Sequence, residues 1–321
     1  MDNTISRPSS GENTWLPYLR IARIDHWFKN IFVLPGVLVA IAIGADLSWT
    51  RVADLVLALI ACGLVASANY TINEYLDAEF DRHHPIKSSR PSALGLVRGS
   101  YVVVQWMVLG ALGLGLGFWI NVSVGLSLLA LFVMGVVYNV EPVRSKDRPY
   151  LDVISESVNN PLRFLIGWAV FAPDAIPPAS ILLSYWMGGA FLMAVKRYAE
   201  YRFIDNPEQA SLYRKSFGRY TEATLLQSSF LYAILSAFFL GVFLIKYRIE
   251  FLISLPFFAL MFMWYLRMGM RERSVVQTPE KLYREKRFVG YLGVVVLVVV
   301  GCFAIDMPWL EELFVVSRPF E

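Results

Sequence analysis

NEYLDAEFDRHHPIKSSRP, running from Asn73 to Pro91, follows directly on an apolar run long enough to cross a bilayer. Within it Asn73, Asp77 and Asp81 stand at i, i+4 and i+8. On a continuing helix each step of four residues advances about 40° around the axis and roughly 6 Å along it, so the three oxygen-bearing side chains form one stripe. Magnesium keeps several waters and usually takes one or two protein carboxylates together with substrate phosphates. A sparse acidic stripe therefore suits a magnesium diphosphate better than a cage built by protein alone. The competing reading is a solvated helix end, where charges are common. Against it, Glu74 and Glu79 add unpaired acidity beside the apolar run, and the chain turns basic immediately afterwards. There Pro85 and Pro91 break any helix, while Lys87, Arg90 and Arg98 bring cations within reach of the stripe.

Working outward, 56% of the 321 residues are hydrophobic and 17% charged, and the mean hydropathy is +0.51. That balance excludes an ordinary soluble domain and implies an all-α, polytopic membrane bundle. Apolar stretches near the ~20 residues needed to span hydrocarbon recur at 30–46, 53–73, 101–120, 122–139, 153–172, 179–196, 223–245, 250–268 and 287–305. The expectation is about nine transmembrane helices. The polar residues 1–15 lack an apolar signal region and read as a disordered tail, leaving 16–321 as one transmembrane domain.

Cytoplasmic loops collect Lys and Arg. Of the 29 basic residues, 24 fall in the N-terminal region and in alternate loops, counting Lys196 and Arg267 at the adjoining span ends. Four, Arg51, Lys246, Arg248 and Arg318, fall on the other side, and Arg163 lies within the fifth span. This places the N-terminus and the acidic stripe in the cytoplasm and the C-terminus outside a cell membrane, with anionic lipid headgroups as natural neighbours of the basic face. Cys62 and Cys302 both sit in apolar spans and support neither a disulfide framework nor a zinc site. His26, His83 and His84 lie near the cytoplasmic face and read as interfacial hydrogen-bonding groups.

Two further segments carry charge where charge is costly. In YLDVISESVNNPLRFLIGW, Asp152, Glu156, Asn159 and Arg163 share one helical face, with Ser155 and Asn160 flanking it. Charges near a bilayer centre cost about 2.5–3.5 kcal/mol each, so this face lines a cavity or pairs internally, for instance Glu156 with Arg163. Pro161 fits a kinked helix there. The connection from Lys196 to Thr221 interleaves Lys196, Arg197, Arg202, Arg214, Lys215 and Arg219 with Tyr198, Tyr201, Tyr213 and Tyr220. An amphipathic helix docking on lipid would produce the same pattern. Confined to short loops, the basic and aromatic mixture gives no case for nucleic acid.

On these residues the chain resembles the UbiA superfamily of intramembrane prenyltransferases, nine-helix bundles with an N-D-x-x-D-x-x-x-D motif after the second span. Asn73, Glu74, Asp77 and Asp81 match that motif with one Asp-to-Glu departure. Tyr138 to Val153, YNVEPVRSKDRPYLDV, is similar to the family's connection between spans four and five. Members that join a prenyl diphosphate to an aromatic acceptor mostly carry a second Asp-rich motif after span six. This chain has MAVKRYAEYRFID there, followed by RKSFGRYT. Together with WFKN at Trp27 to Asn30 and DRHHPIKSSRP, those segments resemble the branch that transfers phosphoribose from 5-phosphoribosyl 1-diphosphate to a polyprenyl phosphate. Where phosphates replace a second magnesium diphosphate, cations replace aspartates.

The resemblance implies that Asn73, Asp77 and Asp81 hold Mg²⁺ on the donor diphosphate, with Glu74 in support. It also implies that Lys87, Arg90, Lys196 and Arg197 meet the phosphates of donor and acceptor, with Lys29, Arg163 and Glu156 as further substrate-binding residues. A phosphate oxygen arrives already anionic, so no general base is needed. Two alternatives stand beside this reading. One is a prenyltransferase acting on an aromatic or other small acceptor, with Asp152, Glu156 or Asp205 in the second role. The other is a lipid carrier or transporter, for which buried polar stripes and broken helices are also expected. The oligomeric state is open.

Overall fold

The computed structural model describes residues 15–83, 86–204, 206–247, 249–272 and 274–314. The expected disordered tail up to Thr14 lies outside the described residues, as do His84, Pro85, Asp205, Arg248 and Arg318. All regular structure among the described residues is helical: α1 (Leu16–Ala22), α2 (Leu34–Ala42), α3 (Trp49–Leu76), α4 (Ala78–Asp81), α5 (Gly99–Ile120), α6 (Val122–Asn139), α7 (Leu151–Ser157), α8 (Asn159–Phe171), α9 (Ala179–Ile204), α10 (Pro207–Tyr213), α11 (Glu222–Tyr247), α12 (Leu255–Gly269), α13 (Lys286–Ala304) and α14 (Pro308–Phe314), with short 3₁₀ segments between.

Among the described residues, seven helical stretches are long and apolar enough to cross a membrane: Leu16–Ala42, Trp49–Leu76, Gly99–Ile120, Val122–Asn139, Ala179–Ile204, Glu222–Tyr247 and Ile249–Gly269. The other two expected spans fall outside this set. The fifth is divided at Val158 into α7 and α8, and the ninth is α13. Polar residues in the fifth lower its hydropathy below what length alone would suggest. The first span also begins earlier than its apolar run implies, because α1, a 3₁₀ segment over Ile24–Val33 and α2 form one helical path. WFKN thereby lies inside the bundle wall and not ahead of it.

The helices pack in pairs, α3 on α5 and α6, α2 on α8, and α9 on α11. Val33, Ala61, Val65, Leu128, Phe164 and Ile166 centre one apolar core, and Phe191, Val195, Tyr265 and Met268 a second. The α2–α8 contact is close enough to involve backbone. A Cβ on Gly36 would strike the Phe164 carbonyl, and one on Gly167 would strike that of Val33. Backbone cannot yield as a flexible side chain does, so Gly36→Ala is expected to destabilise the fold by about 1–3 kcal/mol, as overpacking does elsewhere. A lower thermal midpoint in detergent checks this, and an unchanged midpoint counts against the close approach.

Asn121 caps α6, accepting from Val124 N at 2.8 Å, and turns the chain sharply between α5 and α6. The C-terminal ends of α3, α6 and α9 and the start of α7 consequently gather at one end of the bundle. The described residues of 77–98, 140–150 and 206–221 roof that end. Residues 206–221, for which a lipid-docking helix is one reading of the sequence, turn their aromatic rings inward. Tyr198, Tyr213, Phe217 and Tyr220 bury their rings in a third core, so this stretch folds back on the bundle.

Candidate functional site

A cavity of about 370 Å³ opens beneath that roof. The described residues lining it include ten Lys or Arg side chains and five carboxylates. The stripe forms one wall. Helix α3 stops at Leu76, yet Asp77 N still bonds Asn73 O at 3.0 Å and Asp81 N bonds Asp77 O at 2.8 Å, so the four-residue spacing survives the break. Asn73, Asp77 and Asp81 all line the cavity. Glu74, one position round the helix, does not. It borders a neighbouring cleft together with Arg20, Arg23 and Ser89.

The carboxylates of the stripe are held by cations. Asp77 Oδ1 receives Lys146 Nζ at 2.5 Å and Arg144 Nη2 at 3.0 Å, and Asn73 Nδ2 lies 3.3 Å from Asp77 Oδ2. Asp81 Oδ2 receives Arg90 Nη1 at 2.6 Å. Burial raises the affinity of Asp77 for its proton, but Lys146 and Arg144 outweigh this and hold its pKa below the ordinary value. At Asp81 burial wins over Arg90, and the pKa lies above its ordinary value. Burial likewise pushes Lys146 down to about 8 against the pull of Asp77, and lowers Lys87 against Glu200.

Arg144 and Lys146 were not anticipated from sequence. Both come from the connection after α6, where Arg144 sits in the left-handed region at φ 29°. Its guanidinium also bonds the Asn139 carbonyl at 3.0 Å and Asp147 at 3.1 Å, and Lys146 bonds Asn139 Oδ1 at 2.8 Å. The signal available was the run VRSKDR itself, basic residues packed into a short connection between apolar helices.

Helix α9 supplies the opposite wall. It continues two turns past the expected end of its span, so Lys196, Arg197 and Glu200 project from a helix and not from a loop. Arg197 is 2% exposed and lies between three carboxylates: Asp152 at 3.4 Å, Glu200 at 3.3 Å, and Glu156, which it bonds directly. Asp152, fully buried, also accepts from Tyr220 Oη at 2.7 Å and Ser216 Oγ at 3.1 Å. Glu156 accepts from Tyr138 Oη at 2.9 Å. Glu200 takes Lys87 Nζ at 3.0 Å and Tyr213 Oη at 2.9 Å. Arg197 is thus a hub tying α7 to α9.

Of the residues singled out from sequence, Lys29, Asn73, Asp77, Asp81, Lys87, Arg90, Glu156, Lys196 and Arg197 all line the one cavity. Arg163 does not. It is buried beside Cys62, and its Nη1 bonds the Asn159 carbonyl at 3.3 Å. The anticipated Glu156–Arg163 pair is replaced by Glu156–Arg197, because the break at Val158 ends the single helical face that would have joined them. Nor is His26 simply interfacial, since its ring lines the cavity; His83 is exposed.

A cavity with this excess of cations over carboxylates suits anionic groups. Among the described residues, no group of three or more His, Cys, Asp or Glu side chains is placed to hold a metal ion by itself.

Known proteins share this architecture. The UbiA prenyltransferase family matches residues 30–292. Decaprenyl-phosphate phosphoribosyltransferase of Mycolicibacterium smegmatis is 28% identical over 235 residues, 68% of each chain. The Corynebacterium glutamicum protein of the same name is 30% identical, over 64% of this chain and 60% of that one. Protoheme IX farnesyltransferase of Alkalihalophilus pseudofirmus is 25% identical over 61% of this chain and 64% of its own. In fold, a UbiA homolog from Archaeoglobus fulgidus bound to DMAPP and Mg²⁺ superposes with a TM-score of 0.66 at 22% identity, covering 88% of this chain and 99% of that one. The family match takes in the acidic stripe, the roof of the cavity and most of the helices beneath it, so the chain belongs to the UbiA prenyltransferase family and is a multi-pass membrane enzyme.

Proposed function

We propose that this enzyme transfers 5-phosphoribose from 5-phosphoribosyl 1-diphosphate to a polyprenyl phosphate. The observation that carries the reading is the wall formed by α9. A second magnesium diphosphate motif would need free carboxylates there, but that wall presents Lys196, and its one carboxylate, Glu200, is already held by Arg197 and Lys87. The names of the mycobacterial and corynebacterial relatives agree with it.

Asn73, Asp77 and Asp81 fit a divalent metal shared with substrate, since each carboxylate keeps one oxygen clear of the ion pairs described and the donor set is too sparse to close without phosphate. Mg²⁺ bound there would neutralise charge on the departing diphosphate. Lys87, Arg90, Arg144 and Lys146 add positive charge on the same side, where negative charge grows as the bond from C1 of the ribose to the diphosphate oxygen breaks. The sugar carbon becomes oxocarbenium-like, and an oxygen of the acceptor phosphate forms the new bond to C1. Diphosphate leaves with both electrons of the old bond. No proton moves, and the cavity accordingly needs no general base.

Labelled 5-phosphoribosyl 1-diphosphate with polyprenyl phosphate is expected to give a labelled lipid in detergent, whereas polyprenyl diphosphate with aromatic acids gives none. The opposite pattern moves the assignment to prenyl transfer.

The cation asymmetry supports a cytoplasmic cavity. Single cysteines introduced within 86–99 or 206–218 are then labelled only from the cytoplasmic side, and ones at 174 or 306 only from outside. Native Cys62 and Cys302 are buried and give little background. Labelling of the two roof segments from opposite sides overturns the topology.

A further inference from the structure

A second concentration of cations lies outside the cavity, on the connection from α12 to α13. Residues 267–287 hold seven Lys or Arg against three carboxylates, Glu272, Glu280 and Glu285. Arg267, Arg271, Lys281, Arg284, Lys286 and Arg287 are all exposed. Arg271 pairs with Glu285 at 3.1 Å. Among the described residues, no carboxylate comes within 4.0 Å of Lys281, Arg284, Lys286 or Arg287. The inner side of the same connection is anchored. Val276 is fully buried in the second apolar core. Ser274 Oγ donates to the Met268 carbonyl at 2.8 Å, and Gln277 Nε2 donates to that of Ala199 at 3.2 Å. Lys281 N then bonds Thr278 O at 2.8 Å, so the first of the four cations stands one 3₁₀ turn beyond the anchored stretch. A backbone held from within presents its charged outer side to a ligand at little further entropic cost.

We propose that Lys281, Arg284, Lys286 and Arg287, set around Tyr283, form a docking surface for the phosphate headgroups of anionic phospholipids in the adjoining leaflet. The choice of a bilayer over a soluble acidic partner rests on what flanks the cations. Exposed Met263 stands four residues before Arg267 on α12, and exposed Val289 three residues after Lys286 on α13, so in each helix a cation and a lipid-facing apolar side chain share one face. Tyr283 is 67% exposed, and the Arg284 guanidinium lies 5.9 Å from its ring centroid. A tyrosine left open among cations, at the ends of two apolar helices, has the composition of a membrane–water boundary. An acidic protein would meet the cations and leave the apolar flanks unused. The surface lies apart from the cavity residues that the proposed function employs, and the inference does not depend on which group the enzyme transfers.

The full chain in a non-ionic detergent is titrated with diheptanoylphosphatidylglycerol, with diheptanoylphosphatidylcholine and with glycerol 1-phosphate, and the thermal midpoint is followed as a measure of binding to the folded state. Phosphatidylglycerol is expected to raise the midpoint at concentrations about tenfold or more below those phosphatidylcholine needs, and less so in high salt. A basic side chain at a membrane surface contributes about fivefold in affinity, so Lys281→Gln with Arg284→Gln should weaken the response about 25-fold, and adding Lys286→Gln and Arg287→Gln should weaken it about 10²-fold or more. Exchanging Lys for Arg and Arg for Lys at all four positions keeps the charge and should leave the response near that of wild type, which separates lost binding from lost folding. Arg148→Gln with Arg219→Gln removes two exposed cations from the roof instead and should change the response by no more than about twofold. An equal loss in that roof variant means attraction by net charge alone and overturns the surface. So do Gln variants at 281 and 284 to 287 that respond like wild type, and equal responses to the two phospholipids. If glycerol 1-phosphate reproduces the difference between wild type and the fourfold variant, the surface takes a soluble phosphate and the proposal fails. Stabilisation by polyglutamate where phosphatidylglycerol gives none assigns the surface to an acidic protein and likewise refutes it.

Discussion

Asp77→Asn is expected to abolish turnover while the bundle stays folded. The substitution keeps the shape of the side chain and the neighbourhood of Asn73, but removes the charge that meets Lys146 and Arg144 and that would hold a metal on the donor diphosphate. Loss of one group that stabilises developing charge typically costs 10²–10³-fold in kcat, and here metal binding is weakened at the same time, so about 10³-fold or more is expected. Asp81→Asn should behave alike, with a smaller effect on its surroundings because Arg90 is its one direct ion-pair partner among the described residues. Activity should vanish in EDTA and return with Mg²⁺. Turnover that persists in chelator would falsify the metal assignment and leave Asp77 as an organiser of Lys146 and Arg144.

Arg197→Met is expected to act mainly on stability. Removing the guanidinium leaves Asp152, Glu156 and Glu200 facing one another around a buried volume. Glu200 keeps Lys87 and Asp152 keeps Arg214 at 3.8 Å, so the loss falls chiefly on Glu156, and deleting one partner of a buried ionic network typically costs about 3–5 kcal/mol. Thermal unfolding in detergent should show a midpoint lowered by several degrees, with activity lost alongside. Lys196, the adjacent residue, makes the contrast: without a carboxylate partner, its replacement should alter substrate affinity and leave the midpoint nearly unchanged. A variant at Arg197 that unfolds like wild type and shows only a raised KM would assign that guanidinium to substrate phosphate.

The two outcomes bear on how much a linear reading could resolve. Positions 196 and 197 look alike in sequence, two cations at the end of an apolar run, and both were read as phosphate-binding. They differ only in which way each side chain leaves α9. One meets open cavity, and the other meets carboxylates contributed by α7, more than forty residues away in the case of Asp152 and Glu156. The same limitation explains Arg163. Its spacing from Glu156 would pair them on an unbroken helix, but the break at Val158 redirects it toward Cys62. Glu74 was placed with the stripe by proximity in sequence, and helical rotation carries it to another cleft.

What the sequence determined by itself was whatever depends on local pattern. Apolar length and cation asymmetry are additive along the chain, so a helical membrane bundle and the basic face of it could be read directly. The i, i+4, i+8 stripe was legible because three residues on one short helical stretch keep their relation wherever that stretch is placed. Tertiary structure decided which charges cancel. Whether a cation is spent on a carboxylate or left for a ligand depends on side chains brought together from distant helices, and Coulomb energy in a low-dielectric cavity changes steeply over a few ångströms. Arg144 and Lys146 came to the stripe, and Arg197 was drawn into the hub, while Arg23, Lys29 and Lys196 were left facing the cavity, through that packing alone.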